Sequence, residues 1–261
     1  MIEKILLNLL WILPFLTVLF SIPIKENSPN LKRFHLASAG VVLLSSIYLL
    51  IQVFQNTISN TSSQIQLLYE TKLNWLNAIS AKYFIGIDAL SSMMLVLAAI
   101  IIFTGILATW RLEKGQKVFL GFFQILAASV YGVFISFDLV LFFVFYEMEA
   151  LCMYLLIAGY GSGNKDYGAK KLTLTLAIGS SMILAVFLGI YAETGTWNLI
   201  ELSKIALPES FQYYAFPILF LGFAVSSSLF PFHFWSPAGH SAAPTAVSMF
   251  AAGVMMKMGA Y

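Results

Sequence analysis

The sequence predicts an all-α fold, a polytopic transmembrane helix bundle of about eight helices. Three observations carry that expectation. Hydrophobic residues fill 60% of the 261 positions and charged residues only 10%, too little charge to cover a soluble domain of this length. The apolar residues fall into runs close to the roughly 20 needed to cross a bilayer core. The Lys and Arg residues gather in short clusters between those runs, the pattern of a membrane protein. High Phe and Tyr content, 23 and 12 residues, excludes a disordered or fibrous chain, and a net charge of +2 gives no case for nucleic acid. Cys152 is the single cysteine and lies in an apolar run, so neither a disulfide framework nor a thiolate metal site is available.

Taken in order, residues 5–24 and 36–54 carry no charge, and 84–110 hold only Asp88. Residues 118–137 are charge-free, 139–160 contain Glu147 and Glu149, and 172–192 are again clean. Residues 212–235 contain His233, and a last run from about Ser241 carries Lys257 and stops at Tyr261. The first run is too long for a signal peptide and no small-residue cleavage site follows it, so it is read as a helix. Between the runs, the first, third and fifth loops carry Lys25, Lys32, Arg33, Arg111, Lys114, Lys117 and Lys165, with Lys170 and Lys171 opening the next helix. The second and sixth carry only Lys72, Lys82 and Lys204. That asymmetry places the odd loops in the cytoplasm and the N-terminus outside the cell membrane. Residues 55–82 and 193–211 read as ordinary folded loops, with Trp75 and Trp197 at the membrane interface.

Ionisable groups inside hydrocarbon are costly and usually functional. Glu147, near the middle of the fifth run, is beyond the reach of any loop. A carboxyl that is neutral alone and ionised beside a cation is a proton-carrying site; the alternative is a structural hydrogen bond between helices. Glu149 lies about 200° round the helix from Glu147, so the two are expected to face different directions, one toward a conducting interior. Lys257 follows the small residues Ala251, Ala252 and Gly253, which let a neighbouring helix approach. A desolvated lysine exchanges a proton readily, whereas a snorkelling lysine at a helix end does not. His233 and His240 suit proton relay or plain structural roles, and their spacing matches no helical metal pair, so no metal is expected. Pro231 behind Ser226, Ser227 and Ser228 predicts a kinked or broken seventh helix. Asp88 and Asp138 read as helix N-caps. Lys170 reads as a snorkelling residue with a possible place on a proton route.

Several stretches, in order, resemble one family. They are Phe84-Ile85-Gly86-Ile87-Asp88, Phe145-Tyr146-Glu147-Met148, Lys170 and Thr175 before Gly179-Ser180, Phe230-Pro231-Phe232-His233-Phe234-Trp235, His240 with Ala243-Pro244-Thr245, and Gly253-Val254-Met255-Met256-Lys257-Met258-Gly259. Together they look like the M-type antiporter-like membrane subunits of respiratory complex I, over about residue 83 to the end. The resemblance implies a non-redox pump module of inverted five-helix repeats, each with a broken helix, moving protons through buried Glu, Lys and His. By that resemblance Glu147 matches the family's fifth-helix glutamate, Lys257 its eighth-helix lysine, and His233 and His240 the histidines around the broken helix. Residues 1–115 become transmembrane helices one to three, and 116–261 the first, truncated proton-conducting repeat. The resemblance implies no cofactor on this chain, with NADH and quinone handled by partner subunits, and other membrane subunits and the lipid bilayer as its partners.

Two departures stand out. Ser226 occupies the position of the family's seventh-helix lysine, and Trp235-Ser236-Pro237-Ala238-Gly239-His240 replaces the usual Trp-Leu-Pro-Asp-Ala-His. Loss of the lysine removes the cation that lets Glu147 switch between ionised and neutral forms, leaving Glu149, Lys170 or a water chain to compensate. Because the eighth run stops at Tyr261, a fragment of a longer gene product is expected. The leading expectation is a proton-translocating subunit of an NADH:quinone oxidoreductase. A subunit of a multi-subunit cation/proton antiporter or membrane-bound hydrogenase shares the same residues, and a non-conducting structural subunit is the reading from another class.

Overall fold

The computed structural model describes residues 2–26, 28–59, 67–110, 112 and 115–261. Arg111 and Lys114, two of the basic residues used for orientation, lie outside the described residues. The helices are α1 (Ile2–Ser21), α2 (Pro29–Ser59), α3 (Ala89–Ala108), α4 (Gln116–Ile135), α5 (Leu139–Tyr160) and α6 (Lys165–Thr194). After them come the short α7 (Leu199–Leu202), then α8 (Glu209–Ser226) and α9 (Ser236–Ala242). Helix α10 (Thr245–Ala260) contains a π-helical stretch at Ala251–Met255. The first six are long and apolar enough to cross a membrane. With α8/α9 as one interrupted span and α10 as the last, they account for the eight apolar runs of the sequence.

Helix α4 is the axis of the bundle, with 83% of its apolar window buried inside the protein. Helices α1, α3 and α5 pack around it, α2 lies against α3 and α1, and α6 joins α5 to α8 and α9. The last helix returns to lean on α3 and α8. Lys117 at the start of α4 donates to the carbonyls of Ile22 and Ile24, which fixes the turn between α1 and α2 beside it.

The expected start of the third span needs correction. Residues 84–87 do not belong to the third span: they lie in strand β2 (Ala81–Ile87), antiparallel to β1 (Leu68–Leu76). The run Phe84-Ile85-Gly86-Ile87 is apolar throughout because this strand is enclosed, Phe84, Ile85 and Ile87 being almost fully buried. Apolar content alone cannot separate an enclosed strand from the start of a membrane helix. The loop expected over 55–82 is therefore mostly the end of α2 and this hairpin.

The hairpin is held where loops meet. Asp88 caps α3, accepting from Ser91 N at 2.7 Å while Ser91 Oγ accepts from Asp88 N at 2.9 Å, a reciprocal capping box. Asp138 caps α5, its Oδ1 accepting from Val140 N and Leu141 N at 3.0 and 3.2 Å. Its Oδ2 takes the amide of Lys82 in β2 at 3.0 Å. Backbone bonds extend the same ladder: Phe137 N donates to Phe84 O, Leu139 N to Trp197 O and Leu199 N to Phe137 O. Trp197 is buried rather than interfacial; its indole donates to Ile79 O at 2.8 Å and stacks on Tyr191 with ring centroids 4.2 Å apart.

Candidate functional site: a buried carboxylate cavity beside a broken helix

Helix α8 ends at Ser226, as the serine–proline pattern predicts. Ser228 takes a left-handed backbone conformation, φ 56°, one that side chains other than glycine rarely adopt. Ser226 Oγ and Ser227 Oγ both donate to Phe223 O, at 2.9 and 2.8 Å. The Val225 carbonyl freed by the break accepts from the Trp235 indole at 2.9 Å, and Trp235 is itself fully buried. The indole and the Ser228 amide thus satisfy the carbonyl that a continuous helix would have bonded to Leu229 N, which here donates to Ala224 O instead. Trp235→Phe removes the indole donor and leaves the Val225 carbonyl with the Ser228 amide alone. The expected loss is about 0.5–1.5 kcal/mol for the hydrogen bond, read as a lower thermal midpoint of the purified protein in detergent.

Two close approaches bring the surrounding helices together. At the α6–α8 crossing, a Cβ on Gly222 would lie 2.8 Å from Gly179 O, and one on Gly179 would lie 2.9 Å from Gly222 O. At the α8–α10 crossing, a Cβ on Gly259 would lie 2.2 Å from Ser227 Oγ and 2.5 Å from Ser226 Oγ. Only glycine lets the backbones come this near.

Between α5, α6, α8 and α10 these crossings enclose a small cavity. Helix α5 contributes Tyr146, Glu147, Glu149 and Ala150, α6 contributes Leu176 and Ser180, α8 contributes Ser226, and α10 contributes Met255 and Met258. About 10 Å³ is open to the centre of a water molecule, room for about one water. Glu149 is only 2% exposed, and neither its Oε1 nor Glu147 Oε1 has a hydrogen-bond partner in the protein. Among the described residues, no Lys, Arg or His lines the cavity.

The shared cavity corrects the expectation that Glu147 and Glu149 face apart. The short way round the helix between them is about 160°, and Tyr146 and Ala150 lie within that arc. Ala150 is small, so the space over it stays open, and glutamate stems are long enough to enter it from both flanks. Helical angle places a Cα, and a long side chain departs from it.

The remaining predicted residues are dispersed. Lys257 is exposed on the flank of α10 away from Met255 and Met258, and its Nζ donates to Ala252 O in its own helix. His240, half-buried in α9, lies with Nδ1 2.9 Å from Ser248 Oγ of α10. His233 is exposed and stacks on Phe230, ring centroids 5.6 Å apart. Lys170 is exposed on α6. Of the predicted set, then, Glu147, Glu149 and Ser226 meet at one place and the others do not.

Sequence reasoning missed Tyr146, Ser180 and the two methionines of the cavity, and also His35. That histidine, in α2, is fully buried with both ring nitrogens unpartnered. It stands one residue before the charge-free run 36–54, outside the stretch where a polar residue draws notice. Tyr146 and Ser180 carried a usable signal: the first is three residues before Glu149 on α5, and the second follows the Gly179 of the helix crossing.

Comparison with known proteins bears on the fold and the family. Residues 136–261 match the family described as NADH:quinone oxidoreductase/Mrp antiporter, transmembrane. The chain is 30% identical over 251 residues to NAD(P)H-quinone oxidoreductase chain 4-2 of Synechocystis sp., covering 95% of this chain and 44% of that protein. It is 28% identical over 266 residues to NADH-quinone oxidoreductase subunit M of Rickettsia typhi, covering 100% of this chain and 53% of that protein. A chain of respiratory complex I from Thermus thermophilus superposes with a TM-score of 0.82 at 24% identity, covering 97% of this chain and 50% of that one, which shows a common fold. The chain thus spans about half the length of the curated relatives it matches.

Proposed function

Because the chain belongs to the M-type antiporter-like membrane subunits of the NADH:quinone oxidoreductase/Mrp antiporter family, we propose that it is a proton-translocating, non-redox subunit of a complex I-like assembly. The observation that carries this reading is the pair of buried Glu149 and half-buried Glu147 in a water-sized cavity beside a broken helix. Carboxyls held in hydrocarbon without a fixed partner change protonation when a charge or water arrives. The break supplies the element whose movement controls that arrival. In this reading Glu147 is the primary proton carrier, with Glu149 and Ser226 sharing its cavity. Lys257 passes charge sideways from the outer flank of α10, and His240, tied to Ser248, links α9 to α10. His233 and Lys170 stand at the ends of the route. NADH and quinone are handled by partner subunits, and the chain sits in the inner cell membrane with its N-terminus outside and other membrane subunits around it.

A second reading, a subunit of a cation/proton antiporter, is favoured by the absence of any basic side chain from the cavity. The experiment that tests conduction uses vesicles containing the whole complex. Glu147→Gln and Lys257→Ala are each expected to reduce proton uptake about tenfold or more, the range over which a positioned proton carrier commonly acts. Normal uptake by both variants in a fully assembled complex refutes conduction through this chain and leaves a structural subunit.

A further inference from the structure

Away from the carboxylates, helices α4 and α5 part where the start of one meets the end of the other. Between them lies a groove of about 440 Å³, walled by Gly115, Val118 and Phe122 of the first and Leu155, Gly159 and Tyr160 of the second. Tyr160 Oη donates to Gly115 O at 2.7 Å and ties the two walls together at the rim. Gly159 forms the floor, since a Cβ built on it meets nothing within 4 Å. Val118 is exposed, as is Leu151 two turns back along α5, so the groove opens outward rather than into the bundle.

Chemistry and length decide what fills it. Among the described residues the walls carry no charged side chain, and they offer water few of the two to four polar partners it needs. The occupant within the hydrocarbon is therefore apolar. A spanning helix would need a seam of about 30 Å. The walls run only over residues 115–122 and 155–160, about 10 Å of helix at most. A thin, flexible acyl chain conforms to so short a recess, and a helix does not.

The rim is basic. Lys165, the first residue of α6, sets its Nζ 3.4 Å from the carbonyl of Gly159, at the end of the groove. That long contact uses one of the three protons of an ammonium, which leaves two for an anion. Lys117, bonded to the carbonyls of Ile22 and Ile24, brings the α1–α2 turn to the same surface. There Lys25, Lys32 and Arg33 add positive charge against Glu26 and Asp166, a field that favours anionic head groups. A cation at one end and apolar walls leading away from it match the layout of a phospholipid.

We propose that the α4–α5 groove binds one anionic phospholipid, with a phosphate oxygen on the Lys165 ammonium and one acyl chain over Gly159 between Phe122 and Leu155. The second chain lies outside, against Val118 and Leu151. Bound there, the lipid braces the end of the helix that carries Glu147 and Glu149. The site involves no step of proton transfer, so it stands or falls independently of conduction.

The test uses the purified complex containing the full-length protein, reconstituted in phosphatidylcholine vesicles with a trace of phosphatidylglycerol bearing a photoactivatable acyl chain. Cross-links are expected on the peptides containing Val118–Phe122 and Leu155–Tyr160, saturating with added phosphatidylglycerol. Lys165→Glu is expected to lower this labelling about fivefold or more, the equivalent of about 1 kcal/mol per basic residue, while Lys165→Arg retains it. Gly159→Leu fills the floor and favours the helix. It is expected to abolish labelling while the complex elutes unchanged in size-exclusion chromatography. Equal labelling by photoactivatable phosphatidylcholine marks ordinary bilayer contact and overturns the proposal. Unchanged labelling in Lys165→Glu and Gly159→Leu overturns it too, as does an absence of labelling because a partner subunit covers the groove.

Discussion

Gly259→Val is expected to destabilise the protein by about 3 kcal/mol, the upper end of the usual cost of overpacking. The reason lies in what the added carbons meet. A Cβ at this position falls within 2.2–2.7 Å of Ser227 Oγ, Ser226 Oγ and the Phe223 carbonyl. The carbonyl belongs to the backbone of α8 and cannot swing aside, and both hydroxyls already donate to it. Relief therefore comes only by moving α10 off α8. That movement also carries Met255 and Met258 away from the cavity they line. The measurement is thermal unfolding of the purified complex in detergent. An unchanged midpoint would show that α10 does not lie as close to α8 as described.

The second large effect belongs to Asp138. Replacement by Ala removes acceptors for the amides of Val140, Leu141 and Lys82 at once. Loss of an N-cap alone costs about 0.5–2 kcal/mol, and a buried donor left without a partner costs about 1–3 kcal/mol. A total near 3 kcal/mol follows, since the two contributions overlap. Asp138→Asn keeps one carbonyl oxygen and is expected to lose roughly half as much, because the two ends of the carboxylate serve different elements. Limited proteolysis offers a second readout. Cleavage near β1 and β2 is expected to accelerate in the Ala variant more than cleavage elsewhere, and equal sensitivity at all sites would sever the link between Asp138 and the hairpin.

Much of the fold was legible because membrane helices announce themselves by length and lack of charge. The caps at Asp88 and Asp138 were legible from residue type and position, and the break after Ser226 from Pro231 behind three serines. Strand β2 was not, because an enclosed strand and a helix start carry the same apolar letters. In the site, Glu147 and Ser226 could be singled out as a buried acid and a missing cation. Their union with Glu149 in one cavity depends on the small volume of Ala150 and on glycine crossings between helices distant in sequence. A single helical wheel contains neither. His35 is hard to read from sequence because a polar residue that opens an apolar run looks like the loop before it.

The ladder joining β2, residues 136–139 and residues 197–199 has a consequence for how water reaches the interior. Along this edge the amides of Phe137, Leu139 and Leu199 are already bonded to carbonyls of other loops, and the Asp138 carboxylate holds three more N–H groups. A file of water molecules needs polar partners at each step, and this edge has few left to offer. At the interrupted helix the backbone is irregular and its hydroxyls lie within one turn of the cavity. The break therefore offers water more free polar partners than the knitted loops do.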